Sequence, residues 1–567
     1  MVGWLWQRAW ISFSLLLFMV SASAQTQAGA AQELLRQQER ERILRKQQEA
    51  APSVRAQPAR APSPDLLPRD EMPCFPIGRI RLDGEDARRF VWALNAADPD
   101  NDAATGRCLG AKGISVVMTR VQNAVVARGF VTTRILAAPQ DLTGGTLTLT
   151  VVPGRIRAIR FAPGTSRRAT ASNAVPVGRG DLLNLRDVEQ ALENFKRVPT
   201  AEADIQIVPA DGEDARPGES DLVIAWRQRS PPIRVSASLD DAGSKATGRL
   251  QGELTVSLDD LLMLNDLFYA SLNHDVFNGN RKGTRGYTAH YSLPHGYWAL
   301  SATASGYGYR QTVAGYSQNY VYSGTSDNAE LRLSRLIHRD ATRKTSLYGR
   351  GWMRRSNNFI DDTEIEVQRR RTGGWELGLT HREYLGESTL DANLAYRRGT
   401  GAFNAMPAPE EDFGEGSSRM KVITASAQLL VPLPLGSQRA RYIGSWRAQW
   451  DRTPLVPQDR FSIGGRYSVR GFDGELTLMG ERGWIWRNEI GLLLGAGQEL
   501  YFGADYGHVG GPSTRWLQGR NLAGAVIGLR GGAKGFHWDL FAGMPLSRPR
   551  GFMTDSLTAG FSLGWAC

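Results

Sequence analysis

From about Ile233 to Cys567 the chain is a succession of short segments in which apolar and polar residues alternate one for one. Leu250, Gly252, Leu254, Val256 and Leu258 alternate with Gln251, Glu253, Thr255 and Ser257, and Ile423, Ala425, Ala427, Leu429 and Val431 alternate with Thr424, Ser426 and Gln428. Tyr442, Gly444, Trp446, Ala448 and Trp450 enclose Arg447 and Gln449; Phe536, Trp538, Leu540 and Ala542 oppose His537 and Asp539. The last such segment sets Leu557, Ala559, Phe561, Leu563 and Trp565 against Ser556, Thr558, Gly560, Ser562 and Gly564. A period of two means strands with one apolar face. A soluble sandwich buries that face, whereas a membrane barrel turns it to lipid. Roughly 335 residues, divided into about sixteen strand-plus-turn units of ~21, with an aromatic final segment, point to the barrel.

The N-terminus agrees. Arg8 precedes an apolar run from Trp10 to Val20, and Ala22, Ser23 and Ala24 form a small-x-small cleavage site. Residues 1–24 therefore read as a secretory signal peptide. No later stretch reaches the ~18 apolar residues of a membrane helix, so membrane residence has to be as strands. The formal net charge is +11, but 68 basic residues are scattered among 57 acidic ones with no stripe of one sign, so no nucleic-acid partner is expected. Cys74 and Cys108, in an exported chain, suit a disulfide, and Cys567 stays free. Two cysteines and seven histidines without ligand spacing give no metal site. With no P-loop motif, no Gly-x-Ser-x-Gly and no His-Glu-x-x-His, neither catalysis nor a cofactor is expected.

Between the signal peptide and the strands lie four pieces. Residues 31–50 form a charged helix with few apolar positions (Leu34, Leu35, Ile43, Leu44), suited to water or to a polar cavity. Residues 51–73 are a Pro-rich linker. Then comes a β-α-α-β-β module: a strand at 77–82, a helix at 85–97 with Phe90, Val91 and Leu94 inward, and a second helix at 114–128 carrying Ile114, Val117, Val121 and Val125. Its remaining strands are at 131–136 and 146–152. The same order is expected again from Arg155 to Trp226, with a helix marked by Leu185, Val188, Leu192 and Phe195. Small sheets of this kind leave edges that an extended segment can join; otherwise they are spacers.

One stretch among the strands breaks the alternation: Phe461 to Glu475, which contains Gly464, Gly465, Gly471 and Gly474 around Val469, Arg470 and Phe472. Either it is a Gly-rich surface loop with a solvated arginine, or it folds inward and Arg470 needs an acidic partner. Asp505, on the face shared by Tyr501 and Gly503, must look into the lumen, since the other side is lipid.

At these residues the chain resembles the TpsB transporters of two-partner secretion, the haemolysin secretion/activation (ShlB/FhaC/HecB) family. Val469, Arg470, Gly471 and Phe472 look like the VRG(F/Y) tip of that family's inward loop, and Phe502, Asp505 and Gly507 like the F-x-x-D-x-G wall segment that pairs with it. Cys74-Phe-Pro-Ile77, Cys108, Arg128 to Arg134 and Pro139 to Leu142 resemble the first periplasmic POTRA domain; Leu182 to Asp187 and Pro217 to Asp221 resemble the second. The resemblance implies a plug helix (25–50), linker (51–73), POTRA domains at 74–153 and 154–229, and a transmembrane β-barrel of about sixteen antiparallel strands at 230–567 with an inward loop at 455–482. It implies an outer-membrane protein, its POTRA domains in the periplasm, that exports a large TpsA-type partner without ATP, held in lipid and inserted by the barrel assembly machinery. An assembly insertase of the same superfamily is the alternative. Cys567 departs from the family's usual aromatic terminus.

Overall fold

The structure is a computed structural model that describes residues 29, 31–49, 52–56, 66–277, 282–315 and 318–567. The signal peptide expected at 1–24 and the middle of the linker, 57–65, lie outside the described residues.

Sixteen antiparallel strands, from Ile233–Asp240 to Thr558–Ala566, form a closed barrel; a two-residue strand, Thr363–Glu364, is added at the end of Arg343–Ile360. The last strand closes on the first through the pairs from Ser562↔Asp240 to Ala566↔Ser236. The direction of the alternation settles the architecture. Leu254 is 48 % exposed and its neighbour Thr255 is 1 % exposed. Leu272, Leu331, Leu377, Leu394, Trp486, Ile527, Leu540 and Leu563 are likewise exposed, and they form an apolar outer belt. Gln251, Ser257, Ser271, Asn273 and Ser326 are buried on the inner side. A sandwich would show the reverse.

Two small α/β domains precede the barrel. The first has the sheet Arg79–Gly84, Thr146–Val152, Arg134–Leu136, with the first pair parallel, covered by helix Ala111–Ala127. Val117, Val121 and Val125 are buried on that helix as their spacing requires, and Ile114 is half-buried. The expected first helix is instead one α-turn, Ala87–Phe90, continued as a 3-10 helix, Val91–Ala96. At three residues per turn the inward stripe becomes Phe90 and Ala93, and Val91 turns outward. The third strand is also shorter than expected, because Val131 to Thr133 are spent turning away from the helix. Cys74 and Cys108 are joined, Cα to Cα 5.3 Å, tying Phe75–Ile77 and Arg107–Leu109 together.

The second domain repeats the sheet (Arg155–Phe161, Glu219–Gln228, Ala201–Pro209) but not the helix count. Only Leu185–Lys196 is helical; 162–184 runs as turns, interrupted by Pro163, Gly164, Pro176, Gly178 and Gly180. Asn184 caps the helix through its side chain and every residue from Leu185 to Phe195 except the half-buried Asp187 is buried, one side on the domain's own core and the other on the barrel rim.

Candidate functional site

The barrel lumen is not empty. Residues 31–48 form a helix inside it, and its side chains reach strands on several sides of the wall. Arg40 donates to Gln251 (3.0 Å), Lys46 to Gln428 (3.1 Å), and Tyr307 to Glu33 (3.0 Å). Arg45 pairs with Glu330, and Arg447 with Glu39 (2.5 Å). Apolar contact is sparse: Leu44 meets Leu267 and Tyr269. The polar helix that the sequence left between water and a cavity is thus in the cavity.

The non-alternating stretch also lies inside. It starts and ends as a small hairpin, Phe461–Ile463 against Leu478–Gly480. Between them the chain passes through Gly464, Gly465, Gly471 and Gly474 at φ of 107°, 157°, 94° and 77°. The tip carries Arg470 to the wall, 7 % exposed. Arg470 grips Asp505 with two parallel bonds, Nε to Oδ2 (2.7 Å) and Nη2 to Oδ1 (2.8 Å). Its backbone N–H donates to the same carboxylate (2.9 Å), which fixes main chain and side chain together.

The pair is the first link of a longer chain of charges, none of whose further members was singled out from the sequence. Arg470 Nη1 also meets Glu489 (2.5 Å), whose other oxygen binds Arg530 (2.7 Å); Arg530 then meets Glu499 (2.8 Å), which Arg441 binds as well. Each of these residues occupies a lumen-facing position on its strand. That parity was the available signal, since Glu489 and Arg530 in lipid would carry the same penalty as Asp505. Arg466, on the same loop, was also missed. It donates to Asp241 (3.0 Å) and to the Phe561 carbonyl (3.1 Å), bridging first-strand and last-strand sides of the barrel seam.

Room for the tip comes from glycines in the wall. A Cβ on Gly503 would stand 2.5 Å from Arg470 Nη2, and one on Gly507 2.7 Å from Val469. One on Gly524 would strike the Arg470 carbonyl, and one on Gly543 would lie 2.9 Å from Gly471 Cα. Three adjacent strands, Gln498–Gly510, Asn521–Ala533 and Phe536–Ser547, therefore share a trough shaped to Val469–Phe472. Val469 and Phe472 are buried with Ile463, Ile485, Val509 and Leu522, and Phe472 meets Phe552 edge-on at 5.8 Å. Phe502, in the segment that resembles the family's wall motif, points outward into the apolar belt, 45 % exposed.

Helix and loop touch. Gln32 and Arg36 donate to the Gly474 carbonyl (2.6 and 2.8 Å), and Arg447 reaches both Glu39 and the Tyr467 carbonyl. Beside the helix the lumen keeps a cavity of about 620 Å³ lined by Arg42, Lys46, Lys344, Arg382, Arg447 and Arg487, with Asp391 and Glu489, and another of about 610 Å³ between Gln32, Arg36, Glu39 and the inward loop.

Comparison with known proteins matches these parts. Residues 218–531 match the haemolysin secretion/activation protein ShlB/FhaC/HecB, 75–154 the ShlB-type POTRA domain, and 155–209 a POTRA domain. The chain is 37 % identical over 558 residues to outer membrane transporter CdiB-2 of Burkholderia pseudomallei, covering 95 % of this chain and 94 % of that protein. It is 25 % identical to the hemolysin transporter ShlB of Serratia marcescens, over 79 % of this chain and 78 % of that protein. The solved structure of CdiB from Acinetobacter baumannii superposes with a TM-score of 0.83 at 32 % identity, covering 95 % of this chain and 99 % of that one. With a plugged, loop-braced sixteen-strand barrel behind two POTRA domains, this chain belongs to the ShlB/FhaC/HecB haemolysin secretion/activation family of outer-membrane transporters.

Proposed function

We propose that the chain exports one large partner protein, of the adhesin or haemolysin kind, through the barrel lumen by two-partner secretion. The observation that carries this reading is how the plug is held. Helix 31–48 is fixed chiefly by hydrogen bonds and ion pairs to a polar wall, all of which water or a passing polypeptide can replace. An apolar core would make the plug permanent; a polar seat makes it removable. The periplasm supplies no nucleotide, so the drive comes from the partner folding outside. An unfolded segment is first gathered at the POTRA sheet edges by strand addition. The membrane lipid and the barrel assembly machinery complete the set of partners.

The test joins plug to wall. In a Cys567→Ser background, Lys46→Cys and Gln428→Cys are linked by a short cleavable bis-maleimide. Export of its exoprotein partner, to be sought in the neighbouring reading frames, is expected to stop on linking and to return on cleavage. Export that continues through a fully linked barrel contradicts the proposal. Depletion of the chain should remove that one exoprotein; a fall in many outer-membrane proteins would indicate an assembly insertase instead.

A further inference from the structure

Below the plug helix, linker residues 52–56 cross between helix Leu185–Lys196 of the second POTRA domain and the barrel rim. The five residues alternate half-buried and exposed, as an extended chain does. What holds them is directed at the backbone. The N–H of Val54 donates to Glu193 (3.2 Å), the N–H of Ala56 to Glu189 (2.8 Å), and the Val54 carbonyl accepts from Arg339 (2.7 Å). Glu189 and Glu193 are one helical turn apart, about 6 Å, close to the ~6.6 Å between alternate residues of an extended chain. Arg339, at the end of strand Asn319–Arg339, ties both carboxylates to the rim at 2.9 and 3.1 Å. Among side chains, Val54 packs against the domain core, while Arg55 lies over the Tyr384 ring at 4.3 Å.

We propose that this groove is a main-chain reading site for an extended polypeptide. The chain's own linker fills it while the lumen is plugged, and an unfolded segment of the export partner takes it over when the plug leaves. The inference rests on the export reading above and adds where the partner is held. Any extended segment with a medium aliphatic side chain at one position offers the groups that Val54 and Ala56 offer. The linker is covalently continuous with the plug, so helix and strap leave together. Once vacated, Glu189, Glu193 and Arg339 each lose a hydrogen-bond partner in a buried setting, which favours recapture of another chain. The site lies at the periplasmic mouth of the lumen, where that chain has to enter.

The test uses the full-length chain in detergent with Val54→Pro and Ala56→Pro, which remove both linker donors. The probe is a fluorescent peptide of residues 48–60. It is expected to bind this variant more tightly than the wild type. Methylating the two amide nitrogens in the peptide should weaken binding roughly tenfold or more, while replacing side chains other than the valine should change it little. Because the decisive change is in the peptide, misfolding of the protein cannot imitate it. No binding to the double-proline chain, or equal binding of the N-methylated peptide, overturns the proposal. Export of the exoprotein partner by wild-type cells is scored alongside: export with failed peptide binding sinks the groove alone, and absent export sinks the reading it rests on.

Discussion

At the scale of single residues, Arg470 is held by a bidentate carboxylate, a second carboxylate and its own backbone. Arg470→Ala leaves buried Asp505 with only the backbone N–H of residue 470 and Arg487 at 3.7 Å, and is expected to cost the loop about 3–5 kcal/mol of anchoring. The chain should still reach the outer membrane but unfold at lower temperature in detergent and export nothing. Arg470→Lys keeps the charge without the fork and should fall between. Gly503→Ala should imitate Arg470→Ala, because the added methyl occupies the place of Nη2; normal export by this variant would show that the trough is not needed. Exchanging the charges at 470 and 505 is a poor test of pairing. The new acid at 470 would face Glu489, so the swap fails even though the pair is direct. Asp505→Asn against Glu489→Gln separates the two carboxylates, with the first expected to be the more damaging.

Among the elements, helix Ala111–Ala127 has no side-chain cap of its own, and Glu71 from the linker supplies one. Its carboxylate accepts from the N–H groups of Gly110 (2.8 Å), Lys112 (2.6 Å) and Gly113 (3.0 Å). Burial raises the Glu71 pKa, but the three backbone donors outweigh it and hold the group below its ordinary 4.5. A carboxylate depressed in the folded state contributes stability that is complete above its unfolded value and is lost as pH falls through the folded one. The first POTRA domain should therefore weaken below about pH 4.5, and Glu71→Gln should flatten that part of its stability curve; hydrogen exchange of helix 111–127 measures both. The disulfide acts on the same domain. It closes 34 residues, and Cys74→Ser with Cys108→Ser is expected to remove roughly 3–4 kcal/mol, read from the denaturant dependence of hydrogen exchange in helix 111–127.

For the whole molecule the central balance is between plug and wall. Pairs such as Arg45–Glu330 and Arg447–Glu39 weaken as salt shortens the Debye length from ~10 Å at 0.1 M to ~3 Å at 1 M. Single-channel recordings in planar bilayers should show opening events that become more frequent with salt, and a permanently open channel once residues 31–48 are deleted. Salt-independent closure would mean that apolar packing, not ion pairing, holds the helix. Much of this layout was legible beforehand. The barrel followed from alternation in Leu250 to Leu258 and its successors, and the Arg470–Asp505 contact from an arginine between apolar neighbours and an acid on a lumen-facing parity. The 3-10 turn at Val91 was not legible, because i, i+3 and i, i+4 spacings coincide over so short a segment. Parity put Glu489, Arg530 and Glu499 in the lumen, but their linkage to Arg470 was not legible, because it depends on the register of three neighbouring strands.

The sequence by itself determined much of what depends on near neighbours along the chain: the barrel strands and the face each of their residues takes, the polar helix, the helices at 111–127 and 185–196, and the break in alternation around Arg470. Strand parity and turn chemistry are local and can be counted. Only the tertiary structure decided the rest: that a polar helix sits inside the wall, that four glycines from three strands make one trough, and that Glu189 and Glu193 hold the linker's backbone. These depend on strand register and on the stacking of domain against barrel, which bring together groups tens to hundreds of residues apart and leave no periodic trace in the order of amino acids.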